Sequence, residues 1–437
     1  MRIFANIIVS YLCLLCFVHG AYAQEKERSV DLSLNTIILF ALDNNPDLQI
    51  AQERIHQMEA FADEARASFL PRVEVFLEGG RQTVSPTSGD ANSNFGETSL
   101  RVTQQVFQGF KAGSEVKRRE SLTDSFLHRA DSQRQGVILE TVRLYLSVLR
   151  FQSELRKLYA FVREIDQIVS DINEMFAAGE ISKVMNDYAV SRQAAAYLEV
   201  SSTQAALNDE ISNLEFLTGP LPEFTAVLPD QLVPEKYAFD LYFELAESQN
   251  SIVKTNEAEL KALRHQLNVE KAAQYPDVDL NLAAERTFNE NGDTGTNDDL
   301  SASFTVRYEI FDGFLNKNKK RRVGSEIREL EIQNQRIRQE LRRALELSYH
   351  QILSVQNSLA SVNAEIQNSI TVKTLNAENF RLGNINAIEL IEGEERLKDA
   401  YRTRDRLLFE LNLSKHTLLI DSTILEEDYF CLRCSAL

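Results

Sequence analysis

The chain has 437 residues with 47 Lys+Arg against 65 Asp+Glu, a formal net charge of -18 at pH 7. That balance argues against nucleic acid as a partner and suits a solvated surface or an acidic lumen. There is no tryptophan and there are only 8 prolines, so long uninterrupted elements are expected. No stretch of the chain approaches the roughly 20 apolar residues of a membrane-spanning helix, so a membrane location would have to use strands.

The chain opens like a secretory signal. Arg2 supplies the positive start, Ile7 to Val18 is mostly apolar but short, and Ala21-Tyr22-Ala23 is a small-x-small cleavage site. Residues 1–23 are therefore read as a signal peptide cleaved after Ala23, with Gln24 first in the mature chain. Gln24 stands where a lipoprotein would need cysteine, so no acyl anchor is expected.

The first segment, Ala41-Leu42-Asp43-Asn44-Asn45-Pro46, leads into a helical stretch that ends at Pro71, because proline disfavours helix in the residue before it. Strand-type alternation follows in Val73, Val75 and Leu77, then in Leu100 and Val102, with a polar loop from Gly79 to Gly96 between them. Gly109 marks the switch back to helix. From there to Gly179 no proline occurs, and Leu155, Leu158, Val162, Ile165, Val169, Ile172 and Phe176 alternate steps of three and four. This is an a/d seam that packs against a neighbouring helix. Some 60 residues of helix would run roughly 90 Å. Gly179 then ends the helix, since glycine tolerates the left-handed conformation of a helix C-terminus, and a return helix follows.

The same text recurs at an offset of 204 or 205 residues. Ala246-Glu247-Ser248-Gln249-Asn250-Ser251 repeats the first segment and Pro276 repeats Pro71. Val106-Phe107-Gln108-Gly109-Phe110 returns as Ile310-Phe311-Asp312-Gly313-Phe314, and Gly179-Glu180-Ile181-Ser182 returns as Gly383-Asn384-Ile385-Asn386. Val278, Leu280 and Leu282 form a third alternating segment. The fourth runs from Leu300 through Phe304, Val306 and Tyr308 to Ile310, with the loop Thr287 to Asp299 between the two. The second long helix carries Leu341, Leu345, Ser348, Ile352, Val355, Leu359, Val362 and Ile366. Its return helix carries Leu390, Leu397, Arg404, Leu411 and Leu418 at steps of seven.

A fixed period of this kind is one structural unit used twice. The first repeat is read over 24–225, with a helix, hairpin 71–108, long helix 111–178 and return helix 183–217. The second is read over 226–421, with a helix, hairpin 276–312, long helix 316–382 and return helix 387–420. Residues 422–437 form a C-terminal tail holding Cys431 and Cys434, most simply a local disulfide in an oxidising compartment or an idle pair. The fold class is mainly α with two β-hairpins and long coiled-coil helices. Four strands cannot close a barrel, and open edges cannot sit in lipid, so membrane-embedded hairpins would require oligomerisation.

This layout resembles the TolC-like outer-membrane factor family over roughly Leu32 to Ile420. The phrases that carry it are Ala41-Leu42, Asn45-Pro46-Asp47-Leu48, Ala65-Arg66-Ala67, Leu70-Pro71 and Val106-Phe107-Gln108-Gly109. The second copy adds Tyr275-Pro276-Asp277-Val278-Asp279-Leu280 and Tyr308-Glu309-Ile310-Phe311-Asp312-Gly313. The resemblance implies a homotrimer whose strands share one outer-membrane barrel continuous with a periplasmic helical tunnel. It further implies a periplasmic adaptor and an inner-membrane ATP-binding-cassette or proton-driven transporter as partners. The two phrases of the second copy look more like the type I secretion members, with multidrug or small-molecule efflux as the alternative. The turns at Gly179, Ile181, Ser182, Gly383, Ile385 and Asn386 would then meet the adaptor. In the resembled family the helix after the second turn carries two acids three residues apart that ring the closed entrance. Aligned from Gly383, they fall on Glu389 and Glu392, whereas the first repeat has Met185 at the position of Glu389.

Outside the resemblance, the six histidines are scattered and no phosphate loop, dinucleotide fingerprint or nucleophile elbow occurs. No enzyme activity and no cofactor are expected. A surface coiled-coil structural or adhesive protein is the reading of another class. It would form no pores.

Overall fold

Two asparagines start the helices that lead to the hairpins. Asn45 is almost fully buried, and its side chain accepts from Asp47 N–H at 2.9 Å. Asn250 accepts from Ile252 N–H at the same distance. Each satisfies a backbone donor that the first helical turn leaves unpaired. They separate α1 (Leu34–Asn44) from α2 (Pro46–Ala67), and α5 (Phe239–Gln249) from α6 (Ser251–Ala272). The computed structural model describes residues 30–84, 91–229, 239–289 and 295–423. The signal peptide read over 1–23, and Cys431 and Cys434 of the tail, lie outside the described residues.

Six strands and four further helices complete the order. They are β1 (Val30–Leu32), β2 (Arg72–Val84), β3 (Ala91–Gln108), α3 (Lys111–Ala177), α4 (Lys183–Thr218), β4 (Phe224–Ala226), β5 (Asp277–Phe288), β6 (Thr296–Arg307), α7 (Leu315–Arg381) and α8 (Ala387–Asp421). The two long helices, α3 and α7, each run 67 residues.

The chain falls into two compact units. One contains Asn45–Leu139, Val233–Gln356 and Ser414–Leu437. Its centre is a four-stranded antiparallel sheet in the order β2-β3-β5-β6, in which the first repeat's hairpin pairs with the second repeat's through β3 and β5. Beside that junction, Gly109 sits at φ +58 with its backbone against α6. A Cβ there would lie 2.5 Å from the Ala272 carbonyl oxygen, so only glycine fits. The strands run past the glycines that the alternation suggested as loop limits, since Gly79 pairs with Gly96 and the ladder continues to Val84 and Ala91. Backbone pairing needs no apolar side chain, so hydrophobic periodicity understates such strands. At the other end β6 stops at Arg307 rather than continuing through Tyr308 to Asp312. Its partner β5 begins at Asp277, and the preceding Pro276 has no N–H to donate. The carboxylate of Asp312 instead accepts from Asn316 N–H at 2.7 Å and opens α7.

The other unit contains Met1–Asn44, Glu140–Leu232 and Asn357–Leu413. Here β1 and β4 form a short parallel pair that the sequence pattern did not show. Two α3 side chains hold it. The Gln152 amide donates to the Phe224 carbonyl and accepts from Ala226 N–H, both at 2.9 Å. The fully buried Tyr145 hydroxyl accepts from Val227 N–H at 2.8 Å and has the Leu32 carbonyl at 2.8 Å. Lower on α3 the seam is dry. Phe161, Val162, Ile165, Val169 and Ile172 pack on Ala189 and Ala196 of α4 and on Ala387 and Ile391 of α8. The alanines, seven residues apart, permit close helix approach. Ser348, Leu341 and Leu359 of the other seam are only half-buried, whereas Leu345, Ile352, Val355, Val362 and Ile366 are buried.

At the end of α8, burial pushes the Asp421 carboxyl up from its ordinary 3.8 to about 6. A carboxyl raised in the folded state stabilises fully below its unfolded value and loses that contribution as pH rises through the folded value. Thermal unfolding of the wild type is therefore expected to show a stability loss between these two values. Asp421→Asn should remove that slope and unfold at a higher temperature than wild type at about pH 7.5.

Candidate functional site: the helical turns, the return helix and the sheet faces

Each long helix ends in the same double hydrogen bond. Gly179 N–H donates to Phe176 O at 3.0 Å and Glu180 N–H to Met175 O at 2.9 Å. In the second copy, Gly383 N–H donates to Phe380 O at 3.0 Å and Asn384 N–H to Asn379 O at 2.8 Å. These are Schellman caps, and both glycines hold the required positive φ, +77 and +72. The return helices then start on Ser182, whose side chain accepts from Met185 N–H at 3.4 Å, and on Asn386, which accepts from Glu389 N–H at 3.0 Å.

Of the residues singled out at these turns, Gly179, Ser182 and Gly383 are exposed, and Ile181, Ile385 and Asn386 are half-buried. Ile181 packs against the α3–α4–α8 core cluster. The apolar side chains the turns present to solvent are Val184 and Leu382, 73% and 74% exposed. Neither stood out in the sequence, because a lone apolar residue on a helical turn carries no periodic signal.

Glu389 and Glu392 are both exposed on α8, three residues apart and so on one face. Glu389 also belongs to the helix start, since the side-chain amide of Asn386 donates to its carboxylate at 2.9 Å. Met185, its counterpart in the first repeat, is half-buried against the core cluster.

One feature of α8 was invisible to apolar periodicity. Glu394, Glu395, Lys398, Arg402 and Asp405 form a charged stripe, each paired to another helix of the same unit. Lys373 of α7 reaches Glu394 at 3.0 Å and Glu164 of α3 at 3.6 Å. Arg192 of α4 meets Glu395 at 3.5 Å. Glu199 of α4 accepts from both Lys398 and Arg402 at 2.8 Å, and Arg402 also reaches Glu154 of α3 at 2.7 Å. Lys157 of α3 pairs with Asp405. Glu394, Glu154 and Asp405 are buried. Burial pushes the Glu394 carboxyl up, against the opposing pull of Lys373, and it lowers the Lys157 ammonium against the hold of Asp405. Buried pairs of this kind gain little net stability but are costly to break, because the survivor is left uncompensated.

The two faces of the sheet differ in character. The register places Val73, Val102, Leu282 and Ala302 in one row, and Val75, Leu100, Ala284 and Leu300 in the next. Leu77, Leu280, Phe304, Val278 and Val306 share that face. It is solvent-exposed along the single chain, with Leu300, Phe304 and Val306 at 88%, 70% and 65%. The opposite face carries Arg72, Glu74, Arg101, Thr103, Asp279, Asn281, Ser303 and Thr305. There Thr103 donates to Asn281, which donates to Thr305, both at 3.2 Å. Among the described residues, β2 and β6 are the edges of the sheet.

A sequence profile described as outer membrane efflux protein matches residues 38–220 and 243–404. The chain is 23% identical over 313 residues to protein CyaE of Bordetella pertussis, covering 70% of this chain. It is 24% identical over 276 residues to the cobalt-zinc-cadmium resistance protein CzcC of Cupriavidus metallidurans, covering 60% of this chain. The matches span 66% and 60% of these relatives' own lengths. Among solved structures, the CmeC outer membrane channel of Campylobacter jejuni superposes with a TM-score of 0.80 at 15% identity, covering 92% of this chain and 90% of that one.

Removing the Lys157 charge tests the stripe. Lys157→Met should destabilise the protein by about 3–5 kcal/mol in denaturant unfolding, and Lys157→Met/Asp405→Leu should recover most of that loss.

Proposed function

The chain belongs to the outer membrane efflux protein family, and on that premise we propose that it is the outer-membrane exit duct of a tripartite export system, assembled as a homotrimer. The family is one of transport channels and not of enzymes. The observation that carries the proposal is the sheet, apolar on one face, polar on the other and open at both edges. Unpaired backbone cannot sit in hydrocarbon, so β6 of one copy must meet β2 of the next until the ring closes.

The internal repeat specifies how. Shifting the β3–β5 register by the repeat offsets places Val306 opposite Leu77 of a second copy, and Tyr308 opposite Val75. Beyond the bulge it places Phe311 opposite Val73. The ladder would thus run through Tyr308 to Asp312, where the sequence alternates but a single chain offers no partner. By the same symmetry, Gly313 at φ +64, open within one chain, would take the close packing that Gly109 has against α6. With Cys431 and Cys434 replaced by serine, Val306→Cys/Leu77→Cys should cross-link into covalent trimers on mild oxidation. Val306→Cys/Val75→Cys, two residues out of register, should not. Equal cross-linking of both pairs would contradict this register.

The partners are a periplasmic adaptor and an inner-membrane transporter. The exposed Val184 and Leu382 at the two turns support these as the adaptor-facing ends, together with Gly179, Ile181, Ser182, Gly383, Ile385 and Asn386. Protein cargo of a type I system is the reading we favour, on Tyr275-Pro276-Asp277-Val278-Asp279-Leu280 and Tyr308-Glu309-Ile310-Phe311-Asp312-Gly313. Efflux of small solutes is the second, favoured by the similarity to a cobalt-zinc-cadmium resistance protein. Deleting the gene separates them, through a lost extracellular protein in one case and sensitivity to metal ions or drugs in the other.

We place the entrance constriction at Glu389 and Glu392. They are exposed on one face of α8, and repeated around a three-fold axis they would form a ring that attracts cations and repels anions. In single-channel recordings, Glu389→Ala/Glu392→Ala should lose cation preference and block by multivalent cations. Unchanged selectivity would remove these residues from the constriction.

A further inference from the structure

Below the apolar strand face, the second repeat changes character in layers. Phe304 and Val306 are followed by exposed aromatics, Tyr308 (57%), Phe311 (71%) and Phe314 (61%). Phe311 and Phe314 meet edge to face at 5.5 Å. Directly after them comes Lys317-Asn318-Lys319-Lys320-Arg321-Arg322, five cations in six residues of a chain whose formal net charge is -18. The Lys317 ammonium lies 5.7 Å from the Phe314 ring centroid. Lys317 and Arg321, four residues apart, are both exposed on one side of α7, and Phe314 stands exposed just ahead of its first residue.

The run has no internal explanation. Arg118 and Arg119 of the first repeat share Glu115 at 2.5 and 2.9 Å, and Arg322, the last of the run, reaches Glu326 at 2.6 Å. Among the described residues, Lys317, Lys319, Lys320 and Arg321 have no carboxylate within ion-pair distance. Cations in a first turn also oppose the helix dipole, so their placement does not serve α7 itself. Apolar side chains, then aromatic rings with Tyr308 among them, then free cations is the order of hydrocarbon, interface and headgroup in a bilayer leaflet.

We propose that the beginning of α7 docks on anionic phospholipid headgroups of the leaflet at the helical ends of the strands, with Lys317, Lys319, Lys320 and Arg321 taking the phosphodiester charge. This rests on the reading that the strands span the outer membrane. Charge complementarity and continuity with the apolar strand face single out a lipid surface over an acidic protein.

Because the chain contains no tryptophan, Phe314→Trp provides a sole fluorescent reporter at this layer. The full-length variant is reconstituted into phosphatidylcholine vesicles holding either brominated phosphatidylglycerol or brominated phosphatidylcholine at equal mole fraction. Quenching by the anionic lipid should exceed that by the zwitterionic one about two-fold or more at low salt, and fall to parity in about 0.5 M NaCl. Adding Lys317→Gln/Lys319→Gln/Lys320→Gln/Arg321→Gln should also give parity, while quenching by brominated phosphatidylcholine shows that the variant still inserts. Parity in the Phe314→Trp protein at low salt, or a preference untouched by the four glutamines, overturns the headgroup site and leaves the barrel standing. No quenching by either lipid overturns both this site and the bilayer placement of the strands.

Discussion

An unpaired row of backbone N–H and C=O groups cannot remain in hydrocarbon, and the rest of this molecule follows from that constraint. The four-stranded sheet exposes an apolar face, yet among the described residues β2 and β6 have no outer neighbours. One chain is too short to bend into a barrel, since membrane barrels begin at about eight strands. In the proposed trimer, closure comes from identical copies. The duplicated sequence makes that closure cheap, because the joint between β6 and the next β2 can reuse the geometry that already joins β3 to β5. The left-handed glycine at each hairpin-to-helix switch belongs to the same economy: Gly109 has its packing partner within the chain, and the proposed closure would give Gly313 one in the next copy.

The helices answer a different requirement. Alanine-spaced contacts at Ala189 and Ala196 let α3, α4 and α8 approach closely around a dry seam. The same return helix also carries a stripe of paired charges, with Glu394, Glu154 and Asp405 buried. A seam of leucines tolerates sliding, whereas a buried carboxylate that leaves its lysine is strongly penalised. The stripe thus fixes the register of α8 on its neighbours at little net gain in stability.

Much of this was legible in the sequence, for identifiable reasons. The Gly179 and Gly383 turns, the Asn45 and Asn250 starts and the 67-residue helices rest on local chemistry repeated twice, and local chemistry survives in any fold. Strand alternation located both hairpins but missed their tips, because the ladder beyond Gly79 and Gly80 rests on backbone pairing that needs no apolar side chain. It also ran past Arg307, since period two records the environment a side chain is built for and not the partner present in one copy. The pairing of Val30–Leu32 with Phe224–Ala226 joins segments nearly two hundred residues apart, in three-residue strands too short for any period. The ionic stripe was unreadable because charges at helical spacing look the same whether solvated or paired. Glu389 and Glu392 were candidates by resemblance, and the fold adds that both are exposed on one face, with the Glu389 carboxylate also held by the side chain of Asn386.

The central claim is that three copies close one barrel through their sheet edges. Native mass spectrometry of the protein released from outer-membrane detergent extracts tests it most directly. The account predicts a single species with the mass of three mature chains that persists until the strands unfold. A stable monomer carrying intact strands, or an assembly of any other fixed number, would contradict it.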